Sequence, residues 1–228
     1  GVQPFGGEGL SGTGPKAGGP LYMLRLLSQR PADALARTLA EADRTSPPDT
    51  ERRERQLAPL GTLQQWAHNQ GNLALAGHCQ RFAQKTQSGT ARTLPGPTGE
   101  RNVYTLAPRA RVLCLPHSVD DLLVQTAAVL ASGGTALWPH AHAGLRAKLP
   151  THVQAQVTLQ DNALSDGSVA LDAVLHHGDA ASLQAVCTSL AHRPGPIVGV
   201  TALQPGATDI PLERLLIERA LSVNTAAA

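Results

Sequence analysis

The sequence predicts an α/β fold: a parallel sheet with flanking helices, preceded by a helical segment. Three observations support this prediction. After residue 99, short apolar stretches alternate with helical patterns of about 10–15 residues, as crossover units of a parallel sheet require. Between residues 51 and 87, apolar residues recur at three- and four-residue steps, which is the helical period. A stretch rich in Gly and Pro separates the two regions.

The composition excludes several classes of protein. The chain has 228 residues, of which 42% are hydrophobic, enough for one large domain or a small domain with an extension. Its 19 basic and 17 acidic residues nearly balance, which argues against a nucleic-acid surface, where a dense basic stripe is typical. No apolar run approaches the roughly 20 residues that span a bilayer, and no signal segment stands at the start.

The three cysteines, Cys79, Cys114 and Cys187, lie far apart in the sequence and form no CxxC pair. An odd, scattered count fits the reducing cytosol better than a disulfide framework. We therefore expect a cytoplasmic protein with three buried free thiols. Cys114 falls in an apolar strand pattern and Cys187 in a helix pattern among apolar neighbours, so neither is expected to be a nucleophile.

The first part of the chain is predicted to be loop and then helix. Residues 1–20 hold eight Gly and three Pro, which favours a loop. Pro31 suits the first turn of a helix over residues 32–44. The segment 45–49 (TSPPD) breaks the chain, and a helical stripe then runs through 51–87.

Residues 100–228 are predicted to form the α/β layer, with a linker at 88–99 in front of it. Ser118 is placed as the cap of the first helix, with Asp121 three residues later and a stop at Gly133. Strands are predicted at Arg111–Leu115, Thr135–Trp138, Val153–Leu159, Val169–Leu175 and Ile197–Leu203. Helices are predicted at 119–131, 142–149, 180–192 and 211–221.

The opening Gly-rich loop satisfies two phosphate-binding patterns without their structural context. Residues 7–12 match GxGxxG and residues 12–17 match GxGxxA, but too short a segment precedes them for a strand, and prolines interrupt the helix that should follow. A Walker A loop is excluded because Ala17 follows Lys16 where a magnesium-binding hydroxyl is required. We expect no nucleotide on this loop.

Four histidines raise the question of a metal site. They are His140, His142, His176 and His177. No cysteine or carboxylate stands at ligand spacing beside them, and adjacent histidines on a strand point to opposite faces. Solvated or hydrogen-bonded histidines are therefore expected, with no metal.

Three stretches of the sequence carry a family resemblance. The PFGG and SG groups at residues 4–12 resemble the end of an aldehyde dehydrogenase catalytic domain, and GTGPKAGGPLY at 12–22 resembles the pyrroline-5-carboxylate dehydrogenase domain of the proline utilization A family. Residues 96–115 and 212–228 are similar to the C-terminal domain of its longer members. These stretches agree in order, and matching is weak only from about residue 30 to 90.

The resemblance implies a bifunctional parent enzyme that converts proline to glutamate. An FAD domain would oxidise proline to pyrroline-5-carboxylate, and an NAD domain would oxidise the derived glutamate semialdehyde, with the intermediate passing through an internal tunnel. The segments expected here are the tail of the dehydrogenase domain (1–27), a helical segment and linker (28–99), and a Rossmann-like, aldehyde-dehydrogenase-like C-terminal domain (100–228) that covers the tunnel as a lid.

The resemblance also assigns the site residues. Phe5 matches a phenylalanine that packs on the aliphatic part of the aldehyde, and Gly6 and Gly7 would shape the backbone that aims it. No catalytic, cofactor-binding or metal-binding residue is expected in this chain, so NAD and FAD would belong to the parent. The expected partners are the dehydrogenase and proline dehydrogenase domains of the parent polypeptide. A homo-oligomer is compatible with this expectation, and no nucleic-acid partner is expected. We expect the parent enzyme in the cytoplasm. Peripheral attachment to the inner membrane is compatible with that location.

Both ends of the sequence suggest a cut chain, since it starts at Gly1 inside a loop and stops at Ala226–Ala228. Residues 1–27 are accordingly expected to be mobile or to make crystal contacts, because their own domain is missing. Two functions stay open: a non-catalytic structural module, and a self-standing nucleotide-binding or enzymatic α/β domain that uses the carboxyl edge of the sheet. Saturable binding of NAD, FAD or ATP would separate them.

Overall fold

The computed structural model describes residues 3–27, 31, 33–40 and 50–224. The predicted break at 45–49, the end of the helix predicted for 32–44, and both chain ends lie outside the described residues. In chain order the strands are β1 (Ala91–Leu94), β2 (Glu100–Pro108), β3 (Arg111–Leu115), β4 (Thr135–Trp138), β5 (Val157–Leu159), β6 (Ala173–His177), β7 (Gly199–Leu203) and β8 (Leu216–Asn224).

The helices precede the first sheet and fill the crossovers of the second. They are α1 (Ala34–Ala40), α2 (Thr50–Asn69), α3 (Leu73–Lys85), α4 (Val119–Ser132), α5 (Ala143–Arg146), α6 (Thr151–Gln154) and α7 (Ala180–His192). Short 3-10 helices lie at Met23–Leu26, His140–His142 and Leu212–Leu215. No helix in the described part of the chain is long and apolar enough to cross a membrane.

The five-stranded sheet has the order β5-β4-β3-β6-β7, and every neighbouring pair is parallel. The chain therefore starts in the middle at β3, winds outward to β5, returns to β6 beside β3 and winds outward again. This is the doubly wound arrangement, in which a crevice forms at the carboxyl ends of the two central strands where the winding reverses. The predicted α/β class with a Rossmann-like parallel sheet is confirmed.

Successive side chains of the central strands point to opposite faces of the sheet, so each face has its own part of the apolar core. Cys114 and Leu175 face the large apolar cluster that α2, α3 and α4 cover. Leu113 and Val174 face the smaller cluster that includes Val186 of α7. Because both faces are covered, Val112–Leu115 of β3 and Ala173–Leu175 of β6 form continuous apolar runs, as is typical of buried parallel strands.

Helix α4 begins and ends as its sequence predicts. The Ser118 hydroxyl accepts a bond from the Asp121 N–H at 3.1 Å, and the Asp121 carboxylate accepts from the Ser118 N–H at 3.0 Å. This reciprocal pair is a capping box, which satisfies two amides that a helix start leaves free. Gly133 ends the helix at a φ of 84°, a left-handed conformation that glycine adopts without strain.

The helix predicted for 211–221 is wrong. The chain makes only the 3-10 turn Leu212–Leu215 and then continues as the strand β8. Nine residues of β8 pair antiparallel with β2, from Leu216 opposite Pro108 to Asn224 opposite Glu100. The partner of this ladder is distant in the sequence, and the tertiary pairing overrides the local helical propensity of the segment.

The predicted linker 88–99 is also partly wrong, because Ala91–Leu94 form β1 and pair antiparallel with β2. β1, β2 and β8 make a separate three-stranded sheet, called the ribbon below. One face of the ribbon packs on α1 and the N-terminal segment through a cluster that includes Leu21, Leu39 and Tyr104. The division at residue 99 stays a prediction.

Other boundaries shift for local reasons. Residues 51–87 form two helices instead of one, because Gly71 takes a φ of 74° between them. The strand predicted at Val153–Leu159 begins at Val157, since 151–154 make the turn of α6. The strand predicted at Val169–Leu175 is displaced to Ala173–His177, and that predicted at Ile197–Leu203 begins at Gly199. The helix predicted at 142–149 is reduced to the single turn α5.

Replacing the cap should weaken α4 without changing its packing. We expect Ser118→Ala to lower the free energy of unfolding by about 1 kcal/mol, because the Asp121 N–H loses its acceptor. Urea denaturation followed by circular dichroism measures this loss. Ser165→Ala, at an exposed loop serine, is the control and should stay within about 0.5 kcal/mol of the wild type. An equal effect of both substitutions would contradict the cap.

Candidate functional site

The N-terminal segment folds back on itself as a short antiparallel loop. Phe5 and Ala17 exchange both backbone hydrogen bonds, at 3.1 and 2.7 Å, and Glu8 pairs with Thr13 further out. The Lys16 ammonium donates to the Gly6 carbonyl at 2.7 Å. The segment between Phe5 and Ala17 is therefore a defined loop.

The structure places the three predicted substrate-binding residues side by side on this loop. The Phe5 side chain is 73% exposed and projects from the protein. Gly6 has a φ of 126°, which side-chain-bearing residues rarely adopt, and a Cβ at Gly7 would lie 2.3 Å from the Ser11 hydroxyl. The glycines thus suit this backbone, while the substrate role of all three residues stays a prediction.

A buried carboxylate holds the loop against the ribbon. Glu218 on β8 is 3% exposed and accepts hydrogen bonds from the Lys16 N–H at 2.5 Å and from the Tyr104 hydroxyl at 2.7 Å. Burial, and then the neighbouring Glu218 carboxylate, raise the pKa of Tyr104, so its hydroxyl stays protonated as the donor. Residues 1–27 were expected to lack a partner, but Glu218 of this chain bonds the loop that contains Lys16.

Arg109 makes a second set of contacts between the loop and the sheets. It lies between β2 and β3, and its guanidinium forms an ion pair with Glu8 at 3.2 Å. It also donates to the carbonyls of Thr13 at 3.3 Å and Arg214 at 3.1 Å. The Arg109 and Glu8 side chains are only 17% and 13% exposed, so water screens this pair less than a surface pair.

The crevice at the carboxyl ends of β3 and β6 is the place where doubly wound folds bind dinucleotides, with the pyrophosphate at a helix start. Here the Asp121 carboxylate occupies the start of α4 and is 3% exposed. Besides its bond with Ser118, it accepts the Gly206 N–H at 2.9 Å from the loop after β7. An anion at this helix start would meet the negative charge of the Asp121 carboxylate.

A buried histidine fastens the same loop. His177 accepts a hydrogen bond from the Gln125 amide at Nδ1, over 2.7 Å, and donates from Nε2 to the Ala207 carbonyl at 2.8 Å. Gln125 also donates to the Leu115 carbonyl at 3.2 Å, at the end of β3. The α4 side of the crevice is therefore filled by protein groups bonded to each other.

The remaining histidines do not converge on one point. His176 and His177 occupy successive positions of β6, so their side chains face opposite sides of the sheet, as predicted. His140 pairs instead with Asp161, at 2.9 Å. Among the described residues, no group of three or more His, Cys, Asp or Glu side chains could hold a metal ion.

The thiols differ in exposure. Cys79 and Cys114 are buried and free, as predicted. Burial raises the pKa of Cys79 to about 12 and raises that of Cys114 as well, so neither is a thiolate near neutral pH. Cys187 is also free but exposed, which contradicts the prediction, because α7 packs against the sheet through Val186 and Leu190.

Sequence reasoning missed the two groups that organise these sites. Glu218 fell in a segment predicted to be a helix, where a glutamate signals a solvated face. Asp121 was identified as a capping residue, but its bond to Gly206, 85 positions away, has no local signal. A glutamate among apolar residues at alternate positions, as in LLIERAL, is the pattern that could have indicated a strand with a buried charge.

Comparison with curated proteins matches the chain along its whole length. It is 53% identical over 230 residues to the bifunctional protein PutA of Salmonella typhimurium, 51% identical to that of Klebsiella aerogenes over the same length, and 36% identical over 236 residues to that of Rhizobium meliloti. In each case the match covers 100% of this chain but only 17 or 18% of the relative. No protein-family model matches the chain.

Solved structures support the fold. A proline utilization A structure described as having proline bound in remote sites superimposes with a TM-score of 0.51 at 15% identity. A mutant of Bradyrhizobium japonicum proline utilization A superimposes with a TM-score of 0.52, also at 15% identity. Both alignments cover 75% of this chain and 24% of the other. At this identity the likeness concerns the fold alone.

Labelling of the thiols tests which cysteines are buried in the folded chain. With an excess of a maleimide at neutral pH, we expect rapid labelling of Cys187, while Cys79 and Cys114 react only after unfolding. Mass spectrometry of the labelled peptides identifies each thiol. The variant Cys187→Ala should show no rapid labelling, and rapid labelling of Cys79 in the folded chain would contradict its burial.

The carboxylate under the loop gives a second test. Glu218→Ala leaves the Lys16 N–H and the Tyr104 hydroxyl without their acceptor, so we expect unfolding to become easier by about 1–3 kcal/mol. Limited proteolysis should also cut residues 3–27 faster. Glu54→Ala, at an exposed position of α2, is the control. Unchanged cleavage in Glu218→Ala would contradict the anchoring role.

Proposed function

Because this chain belongs to the proline utilization A family along its whole length, we propose that it works as part of a longer bifunctional enzyme of proline catabolism. The chain spans less than a fifth of the length of the relatives that it matches. The FAD- and NAD-dependent oxidations that lead from proline to glutamate would belong to the remainder of that polypeptide.

Within such an enzyme, residues 100–228 would form a non-catalytic lid over the channel that carries the intermediate. The observation that supports this role is the Asp121 carboxylate in the first turn of α4. A buried carboxylate that is bonded to Ser118 and Gly206 puts a negative charge in the first turn of this helix, where a pyrophosphate would be repelled. The sheet would therefore cover the channel and contact neighbouring domains, without taking part in the reaction.

The loop from Phe5 to Ala17 would supply the chain's contribution to the dehydrogenase site. Phe5 would hold the aliphatic part of the semialdehyde, and the backbone at Gly6 and Gly7 would set its direction. The exposure of Phe5 supports this role, since its aromatic ring is available to pack against a substrate or a second domain. Residues 1–27 would then be the tail of that domain, 28–99 a helical segment and linker, and the whole enzyme cytoplasmic.

A second candidate function is a self-standing nucleotide-binding domain. The doubly wound strand order supports it, because that order creates a crevice suited to ligands. Calorimetric titration of the chain with NAD, FAD and ATP separates the candidates. The lid predicts no saturable heat with any of the three, whereas saturable binding at about micromolar levels would establish the second candidate.

The lid itself is tested by deletion in the full-length enzyme of a close relative. Because α2 and α3 pack on α4, the segment matching residues 28–228 should be removed as one unit. We expect proline oxidation to survive while NADH formation from proline shows a lag and pyrroline-5-carboxylate escapes to a trapping agent. Aldehyde oxidation should be weakened only as far as the Phe5–Ala17 loop needs Arg109 and Glu218, and the double variant Arg109→Ala/Glu218→Ala measures that share. A progress curve without a lag would overturn the lid, and loss of proline oxidation would contradict its non-catalytic character.

A further inference from the structure

Arg109 contacts both strands of the Phe5–Ala17 loop. Glu8 and Thr13 pair with each other across this loop, and both are bonded to the Arg109 guanidinium. Its Nη1 lies 3.2 Å from the Glu8 carboxylate, and its Nη2 donates to the Thr13 carbonyl at 3.3 Å. The other Glu8 oxygen lies where a Cβ of Gly14 would stand, 2.3 Å from that position, so the glycine leaves space for the carboxylate. One side chain therefore holds the two strands of the loop at the same level.

The same guanidinium is bonded to both sheets. Its Nε donates to the Arg214 carbonyl at 3.1 Å, just before β8 of the ribbon, and its Nη1 donates to the Asp172 carbonyl at 3.4 Å, just before β6. A guanidinium has five N–H donors in one rigid plane, whereas a lysine ammonium has three donors at one point. Arginine at position 109 can therefore join the loop, the ribbon and the five-stranded sheet at once.

The tip of the loop is also bonded to the five-stranded sheet. The Ile197 N–H, two residues before β7, donates to the Gly9 carbonyl at 2.8 Å. The loop is thus supported on the side that faces the sheets, while the Phe5 side chain projects from the protein. Since Phe5 and Ala17 exchange both backbone hydrogen bonds, the direction of the Phe5 ring follows the orientation of the whole loop.

We propose that Arg109 is a positioning residue for the dehydrogenase site, because it fixes the loop that directs Phe5 at the aliphatic part of the aldehyde. This inference rests on the substrate role proposed for Phe5, and it adds that a distant residue between the two sheets sets the direction of the ring. Misplacement of a substrate-holding group by about 1 Å can lower a rate about 100-fold, so a loosened loop should impair use of the aldehyde. Binding of NAD and oxidation of proline, for which no residue of the loop is proposed, should be unaffected.

Amide hydrogen exchange in the 228-residue chain tests the support of the loop without any reaction. We expect Arg109→Gln to speed exchange of the Ala17 and Ile197 amides at least about tenfold, because both donate bonds that depend on the position of the loop. Protection of β3 and β6 should persist. Arg55→Gln, which removes the same charge at an exposed position of α2, should leave both amides unchanged. Equal exchange in Arg109→Gln and the wild type would overturn the inference, whatever the role of Phe5.

Steady-state kinetics in the full-length enzyme that the proposed function assigns to this chain tests the positioning itself. We expect Arg109→Gln to lower kcat/KM for the aldehyde at least about tenfold, with KM for NAD and proline oxidation within about twofold of the wild type. Arg109→Lys should show most of the same loss, because it keeps the charge but not the planar set of donors. Since Arg109 acts through Phe5, the double variant Phe5→Ala/Arg109→Gln should lose no more than about twofold beyond Phe5→Ala alone.

The outcomes separate this inference from the proposed function. Additive losses in the double variant, or an equal rise in KM for NAD, would overturn the inference, because they indicate general damage to the enzyme. Full aldehyde activity in Arg109→Gln together with a loss in Phe5→Ala would overturn it and leave the role of Phe5 intact. Full aldehyde activity in Phe5→Ala would overturn both.

Discussion

The buried Asp121 carboxylate is the interaction on which the α/β layer depends. It accepts hydrogen bonds from the start of its own helix at Ser118 and from the loop after β7 at Gly206. One side chain therefore joins the first crossover of the sheet to its last strand, across the central crevice. Since a buried carboxylate without these donors would be costly, the helix start and the loop are coupled.

The same interaction determines what the crevice can bind. In a doubly wound fold the amides at a helix start are the natural site for a pyrophosphate, and here a carboxylate already uses that position. His177 and Gln125 complete the closure with a second pair of bonds to the same loop. The doubly wound sheet therefore uses this half of its crevice for hydrogen bonds within the chain.

The comparison of sequence with structure separates local from long-range information. The capping box at Ser118, the stop at Gly133 and the strands β3 and β4 depend on neighbouring residues, so their patterns predicted them. β8 was predicted as a helix because its partner β2 lies more than 100 residues away in the sequence. The role of Glu218 was hidden for the same reason, as its donors come from the first loop and from β2.

The candidate site shows the same limit. The family resemblance indicated Phe5, Gly6 and Gly7, which are adjacent in the sequence, and the structure places them on one loop. It could not indicate that Arg109 and Glu218 hold that loop, because each of these contacts joins distant parts of the chain. Exposure of Cys187 depends on which side of α7 faces the sheet, and a helix rich in small uncharged residues gives little periodic signal.

Hydrogen exchange at the Gly206 amide tests the closure of the crevice most directly. A bond from this amide to the buried Asp121 carboxylate predicts slow exchange in the native chain. In Asp121→Ala, under conditions where the sheet remains folded, the Gly206 amide should exchange close to the unprotected rate. Protection of β3 and β6 should persist in that variant. Rapid exchange of Gly206 in the native chain would contradict the closure.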